Sequence, residues 1–314
     1  MTRRLHGVVG APVTPFKADG EVDAPCFETL LSFLVETKVD AISLPMHIGE
    51  SLSLTNAERR RLVEIAAHTV AGEVPLLVHV SCAGTAETVE LARHAARNGA
   101  EGVIVLTPYY WKPPRRGLAD HFAQVAASVD IGLVAYNSPT HTGVEIPLDL
   151  IEHLLVRFEN LVAVKDASFN FEYFTELCRI THEVRPQFSV FTGVEHLLPS
   201  TAVGGAGCFS AAGGVAPVLI RRLFDACRAG VGSDALQLQY QFSCLYRRLQ
   251  VGYPATIKAA MGLMGRPVGA TRPPLPTLDT RELAELGSWL EAMPFLEDEP
   301  RGWTVPSRRP LESA

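Results

Sequence analysis

Lys165 ends an unbroken apolar run, Leu161-Val162-Ala163-Val164, and is followed by Asp166. The chain has five lysines (Lys17, Lys38, Lys112, Lys165 and Lys258), and only Lys165 is placed this way. Burial penalises an ammonium and favours the neutral amine, which can attack a ketone to form an imine. The other reading of Lys165 is an ion pair with Asp166. Tyr136 ends a second apolar run, Ile131–Tyr136, ahead of Asn137-Ser138-Pro139. A phenol at that place can carry a proton or orient a carbonyl. It can equally be a core aromatic with its hydroxyl at the rim.

Three further segments carry chemical potential. Met46-His47-Ile48-Gly49-Glu50-Ser51 comes after an apolar run, and Gly49 suits a tight turn whose N–H groups face a carboxylate. His47 is either an acid/base group or a satisfied rim histidine. Thr107-Pro108-Tyr109-Tyr110-Trp111 puts three aromatics on a loop, to cover a ligand or to meet another subunit. His47, His79 and His141 all fall near run ends, yet no HxH or HExxH spacing supports a metal site. The glycines at 204, 205 and 207 precede an apolar run, where a close turn explains them better than a phosphate.

These residues need a scaffold that gathers the ends of buried strands. Eight short apolar runs alternate with eight amphipathic helical stretches between Val8 and Ala229. Runs without polar alternation suit strands buried on both faces. Thr55-Asn56-Ala57-Glu58 fits a capping box, and Gly72, Gly99 and Gly230 stand where helices should stop. Eight such units predict a (β/α)8 TIM barrel over residues 1–230, with catalytic groups at the C-terminal strand ends. A doubly wound sheet is the alternative, but no glycine-rich dinucleotide turn comes after the first strand. Residues 231–296 read as a C-terminal helical extension of the same domain. Residues 297–314, rich in charge and proline, read as a partly loose tail.

Composition narrows the function class. The 314 residues are 47% hydrophobic and 20% charged, with a net charge of -6. No basic patch points to nucleic acid, and no run approaches the ~20 apolar residues that span a bilayer. The six cysteines form no CxxC pair, so they read as free thiols in a cytoplasmic protein.

From about Gly7 to Leu278 the sequence resembles the dihydrodipicolinate synthase/N-acetylneuraminate lyase family of class I aldolases. Val13-Thr14-Pro15-Phe16 fits its start, and Met46–Ser51 is an altered form of its GTTGES turn. Thr107–Tyr110 matches TPYY. Tyr136-Asn137-Ser138-Pro139 matches the tyrosine motif, and Ala163–Ser168 the lysine motif GIKEAS. Gly193 and Gly207-Cys208-Phe209-Ser210 complete the set.

The resemblance implies a Schiff base between Lys165 and pyruvate or another 2-oxo acid, with Tyr136 shuttling protons. It implies that the amides of the His47–Ile48–Gly49 turn hold the carboxylate and that the Phe209 carbonyl faces the substrate. Tyr110 resembles an aromatic residue that crosses a dimer interface into the neighbour's site. A homotetramer, and no metal or organic cofactor, are also implied. Two departures bear on the second substrate. His47 and Ile48 replace the family's hydroxyl-bearing pair, and His141 replaces the arginine that grips an aldehyde's carboxylate. A neutral imidazole does not reproduce that bidentate contact. The reading is therefore a lyase for aldol cleavage, condensation or dehydration of a 2-oxo acid, possibly sugar-derived. The alternatives are a dihydrodipicolinate synthase with an altered site and a non-catalytic metabolite-binding barrel.

Overall fold

Residues 4–230 and 232–304 are described in a computed structural model of the chain. β1 (Gly7–Gly10) leads to α1 (Ala24–Glu36), and β2 (Ala41–Leu44) to α2 (Asn56–Val70). β3 (Leu76–His79) leads to α3 (Thr85–Arg97), and β4 (Gly102–Leu106) to α4 (Arg115–Ala126). β5 (Gly132–Asn137) is followed by a single-turn helix α5 (Pro139–Thr142) and then α6 (Leu148–Arg157). β6 (Leu161–Asp166) leads to α7 (Phe171–Val184), and β7 (Ser189–Thr192) to α8 (Leu197–Ala202). β8 (Gly207–Ser210) leads through a short 3-10 turn (Ala212–Gly214) to α9 (Pro217–Ala229). Three more helices, α10 (Ser233–Leu249), α11 (Ala255–Leu263) and α12 (Thr280–Glu291), and a 3-10 turn (Pro294–Leu296) complete the order among the described residues.

The strands close in sequence order, with β8 returning to pair with β1 in parallel, so the sheet is a barrel and not an open doubly wound layer. Nearly every strand residue is buried, as strands covered by helices outside and side chains inside must be. The predicted capping box is present: Thr55 Oγ1 accepts from the Glu58 amide, and Glu58 accepts from the Thr55 amide.

One irregularity decides what faces the cavity. Between β5 and β6, Leu133 pairs with Leu161, but Val134 pairs with Ala163, so Val162 is an extra residue. Beyond this bulge Tyr136 lies beside Lys165 and Asn137 beside Asp166. Unbroken pairing would have set Tyr136 beside Val164, on the opposite face from Lys165.

The reading of a loose tail does not hold for its described part; residues 305–314 lie outside the described residues. Glu299 is buried and accepts from the Val218 and Leu219 amides at the start of α9. Trp303 packs edge-on against Phe33. The wholly buried Arg266 donates to the carbonyls of Gly214, Val215, Pro300 and Gly302.

Candidate active site

Lys165 and Asp166 are successive strand residues and point to opposite faces. Asp166 turns outward, where Asn137 Nδ2 (2.7 Å) and Ser168 Oγ (2.9 Å) donate to it. The ion pairs of the described residues do not include Lys165, which removes the Lys165–Asp166 salt bridge from consideration. Lys165 is 5% exposed. Its Nζ lies 4.0 Å from the centre of the Tyr136 ring and 4.9 Å from that of Phe209. The amine is thus held by aromatic faces and by no carboxylate.

A cavity of about 90 Å³ opens onto this amine. Its walls gather Lys165, Tyr136, His47, Ile48, His141 and Phe209. Gly49 and Tyr110 are not among them. Gly49 sits below the turn: its amide donates to Met46 O, and its carbonyl accepts from Thr14 Oγ1 at 2.6 Å. It shapes the turn and leaves the amides of His47 and Ile48 without a backbone acceptor among the described residues. Tyr110 is 84% exposed in a left-handed conformation (φ 71), with its ring edge-on to Trp111.

The two imidazoles that line the cavity are uncharged at neutral pH. Burial, then His141, then Lys165 push His47 down to about 4. Burial and then Lys165 also lower His141, whose Nδ1 lies 3.0 Å from Ser138 Oγ. Their rings meet edge-on at 4.6 Å. His79 does not line the cavity. It is buried behind Tyr136, and its Nδ1 is spent on the Pro45 carbonyl at 3.0 Å. Among the described residues no group of three or more His, Cys, Asp or Glu stands together as a metal site.

Several lining residues escaped the sequence reading. Glu195, two residues past Gly193 on the loop after β7, is 1% exposed and accepts from Ser210 Oγ at 2.5 Å. Lys165 stood out as a polar residue at a strand's C-terminal end, and extending that inspection a few residues past β7 would also have found Glu195. Tyr246, Gln250 and Tyr253 come from the end of α10 and the link to α11, which lie over the barrel mouth. Nothing in their spacing marks them.

Burial raises the Glu195 carboxyl to about 7 from an ordinary 4.5, against the lowering effect of its Ser210 hydrogen bond. A carboxyl raised on folding binds its proton more tightly when folded. Stability therefore declines as pH rises from about 4.5 to about 7, by on the order of 3 kcal/mol. Glu195→Gln should flatten that decline and be the more stable protein at pH 8. Urea unfolding at pH 5, 6, 7 and 8 checks this; parallel curves for the two proteins would refute it.

A profile described as the dihydrodipicolinate synthetase family matches residues 4–293. The chain belongs to this family. A 4-hydroxy-tetrahydrodipicolinate synthase from Methanococcoides burtonii is 34% identical over 93% of this chain and 100% of that protein. One from Bartonella bacilliformis is 34% identical over 88% and 94%. Among solved structures, the dihydrodipicolinate synthase of Aquifex aeolicus superposes with a TM-score of 0.85 at 34% identity, covering 91% of this chain and 97% of that one. YagE, a prophage protein of this family from E. coli K12 in complex with pyruvate, superposes with a TM-score of 0.88 at 31% identity, covering 92% and 98%. As a member of the dihydrodipicolinate synthetase family the chain is an aldolase-type lyase.

Proposed function

We propose that Lys165 forms a Schiff base with pyruvate or another small 2-oxo acid, and that the enzyme then makes or breaks a carbon–carbon or carbon–oxygen bond. One observation carries this reading: a buried amine without a carboxylate partner faces a cavity beside Tyr136. The neutral amine attacks the oxo carbon. Loss of water gives the imine, and loss of a C3 proton gives the enamine nucleophile. Tyr136, beside Lys165 in register, carries protons to and from the oxo oxygen. The His47 and Ile48 amides, with the turn shaped by Gly49, receive the carboxylate. The Phe209 carbonyl faces the bound acid, and His141 faces the second substrate. A 2-oxo acid of three carbons suits a 90 Å³ space.

Incubation with pyruvate and borohydride should add the reduced pyruvate mass to the peptide containing Lys165. A protein that stays unmodified by pyruvate and by other 2-oxo acids would defeat the reading in favour of a non-catalytic binding barrel. Tyr136→Phe should keep the barrel and slow turnover about 100-fold or more. An unchanged kcat would move the proton shuttle elsewhere.

A second reading, dihydrodipicolinate synthase activity proper, draws support from the names of the 34% identical relatives. His141 in place of the family arginine weighs against it. Coupled turnover with aspartate semialdehyde is expected to be weak. The assembly we propose is a homotetramer in the cytoplasm, in which the exposed Tyr110 reaches a neighbouring subunit's site. The described cysteines, all free thiols, fit that compartment.

A further inference from the structure

Glu195 lines the same cavity as Lys165, and imine and enamine formation give it no part. It is buried, and its carboxyl is gripped from one side. Ser210 Oγ (2.5 Å) and the Ala212 amide (3.3 Å) both donate to Oε1. No other residue among those described donates to Oε2. Nor is Oε2 one of the polar atoms sealed away without a partner, as His79 Nε2 is. It therefore borders the cavity that Glu195 lines. Because both donors occupy Oε1, the proton of the acid form belongs on Oε2, the oxygen open to a bound molecule.

We propose that Glu195 is a catalytic acid: its Oε2 proton goes to the C4 oxygen of a 4-hydroxy-2-oxo acid bound to Lys165, and the C4 hydroxyl leaves as water. The proposal rests on the Schiff-base reading above and selects carbon–oxygen over carbon–carbon cleavage.

Position supports it. The Lys165 charge acts on Glu195, after burial and its hydrogen bonds. The Glu195 charge acts in turn on Tyr246 and Tyr253, which line the cavity from the helices over the mouth. The carboxyl is thus within electrostatic reach both of the amine that takes C2 and of the residues toward which C4 extends. Its resting form supports it too. Burial keeps the proton on Glu195 up to about pH 7. Hydroxide is a poor leaving group and needs such a donor, whereas aldol cleavage needs an empty acceptor for the C4 hydroxyl proton. The other groups around the carboxyl are shifted away from neutrality. Burial raises the Tyr246 and Tyr253 phenols and the Cys208 thiol, and lowers the His47, His141 and His196 imidazoles.

The step balances without a co-reactant. The C3–H bond breaks, its proton passes to water, and its electron pair makes the enamine. That enamine pair then forms the C3=C4 bond, the C4–O bond breaks, and its pair with the Glu195 proton makes water. Hydrolysis of the imine releases a 2-oxo-3-enoic acid and restores Lys165, and Glu195 regains a proton from water.

The test offers the enzyme 4-hydroxy-2-oxopentanoate and reads the products by mass. We expect 2-oxopent-3-enoate, with kcat falling as pH rises through about 7, because the acid form is then lost. Glu195→Gln should lower that kcat about 100-fold or more and abolish the fall. It should leave two other readouts at the wild-type level: borohydride trapping of pyruvate, and deuterium exchange at pyruvate C3 in D2O. A merely structural role would depress all of them together. Ser210→Ala removes a donor that favours the charged form, and should move the pH limb upward by about half a unit or more. No adduct with pyruvate sinks the Schiff-base reading. An adduct without loss of water from the probe overturns the role of Glu195 alone. So does a Gln variant that dehydrates at the wild-type rate, or one that loses C3 exchange in step with dehydration.

Discussion

Lys165→Ala should leave a folded barrel that forms no borohydride-stable adduct and turns over at least about 10⁴-fold more slowly. The size of the loss reflects the amine's role: no neighbouring group can take over the covalent bond. Among the described residues, the remaining lysine with comparable burial is Lys258, and Glu50 neutralises it. Stability should respond differently from activity. Lys165 has no acidic partner to orphan, so removing it leaves no uncompensated charge. Lys165→Met, which keeps the aliphatic stem between the Tyr136 and Phe209 rings, should melt at or above the wild-type temperature. A Met variant that melts several degrees lower would mean that the amine is held by contacts other than these two rings.

Lys258→Met should behave in the opposite way. Lys258 Nζ lies 2.5 Å from Glu50 Oε1, and the two side chains are 2% and 0% exposed. Burial lowers the Lys258 ammonium, and Glu50 restores part of that loss. Removing the lysine leaves a buried carboxylate without its cation, which costs about 3–5 kcal/mol. For a chain of this size that corresponds to a fall in melting temperature of roughly 10 °C. Glu50 closes the turn that carries His47 and Ile48, and its other oxygen accepts from the Arg272 amide. The same variant should therefore raise KM for the 2-oxo acid as the turn loosens. Adding Glu50→Leu should restore most of the stability, because the orphaned charge is then gone. Thermal melts of the single and double variants decide this; a single-variant loss below about 1 kcal/mol would refute the buried pair.

The barrel was legible because its signal is repeated. Eight apolar runs such as Ala41–Leu44 are too short and too uniform to be anything but buried strands, and the capping box at Thr55 marks a helix start outright. Lys165 and Tyr136 were legible because each closes such a run. Val162 was not. A bulge is a relation between two strands, and Leu161–Asp166 read alone carries no trace of which residue its neighbour skips. Helix α5 escaped for a related reason. Four residues beginning at Pro139 have no periodicity to detect, although they carry His141 to the cavity. Tyr246 and Tyr253 needed the packing of α10 and α11 across the mouth, which local spacing cannot encode.

Arg266 ties together pieces far apart in the chain: the carbonyls of Gly214 and Val215 just after β8, and those of Pro300 and Gly302 near the end of the described chain. A guanidinium buried this completely cannot release one side without stranding its donors on the other. The segment Pro300–Gly302 and the closure of the barrel therefore form one cooperative unit. Residues near 300 should not open independently of the barrel, and their backbone amides should exchange with solvent by the same opening that parts β8 from β1.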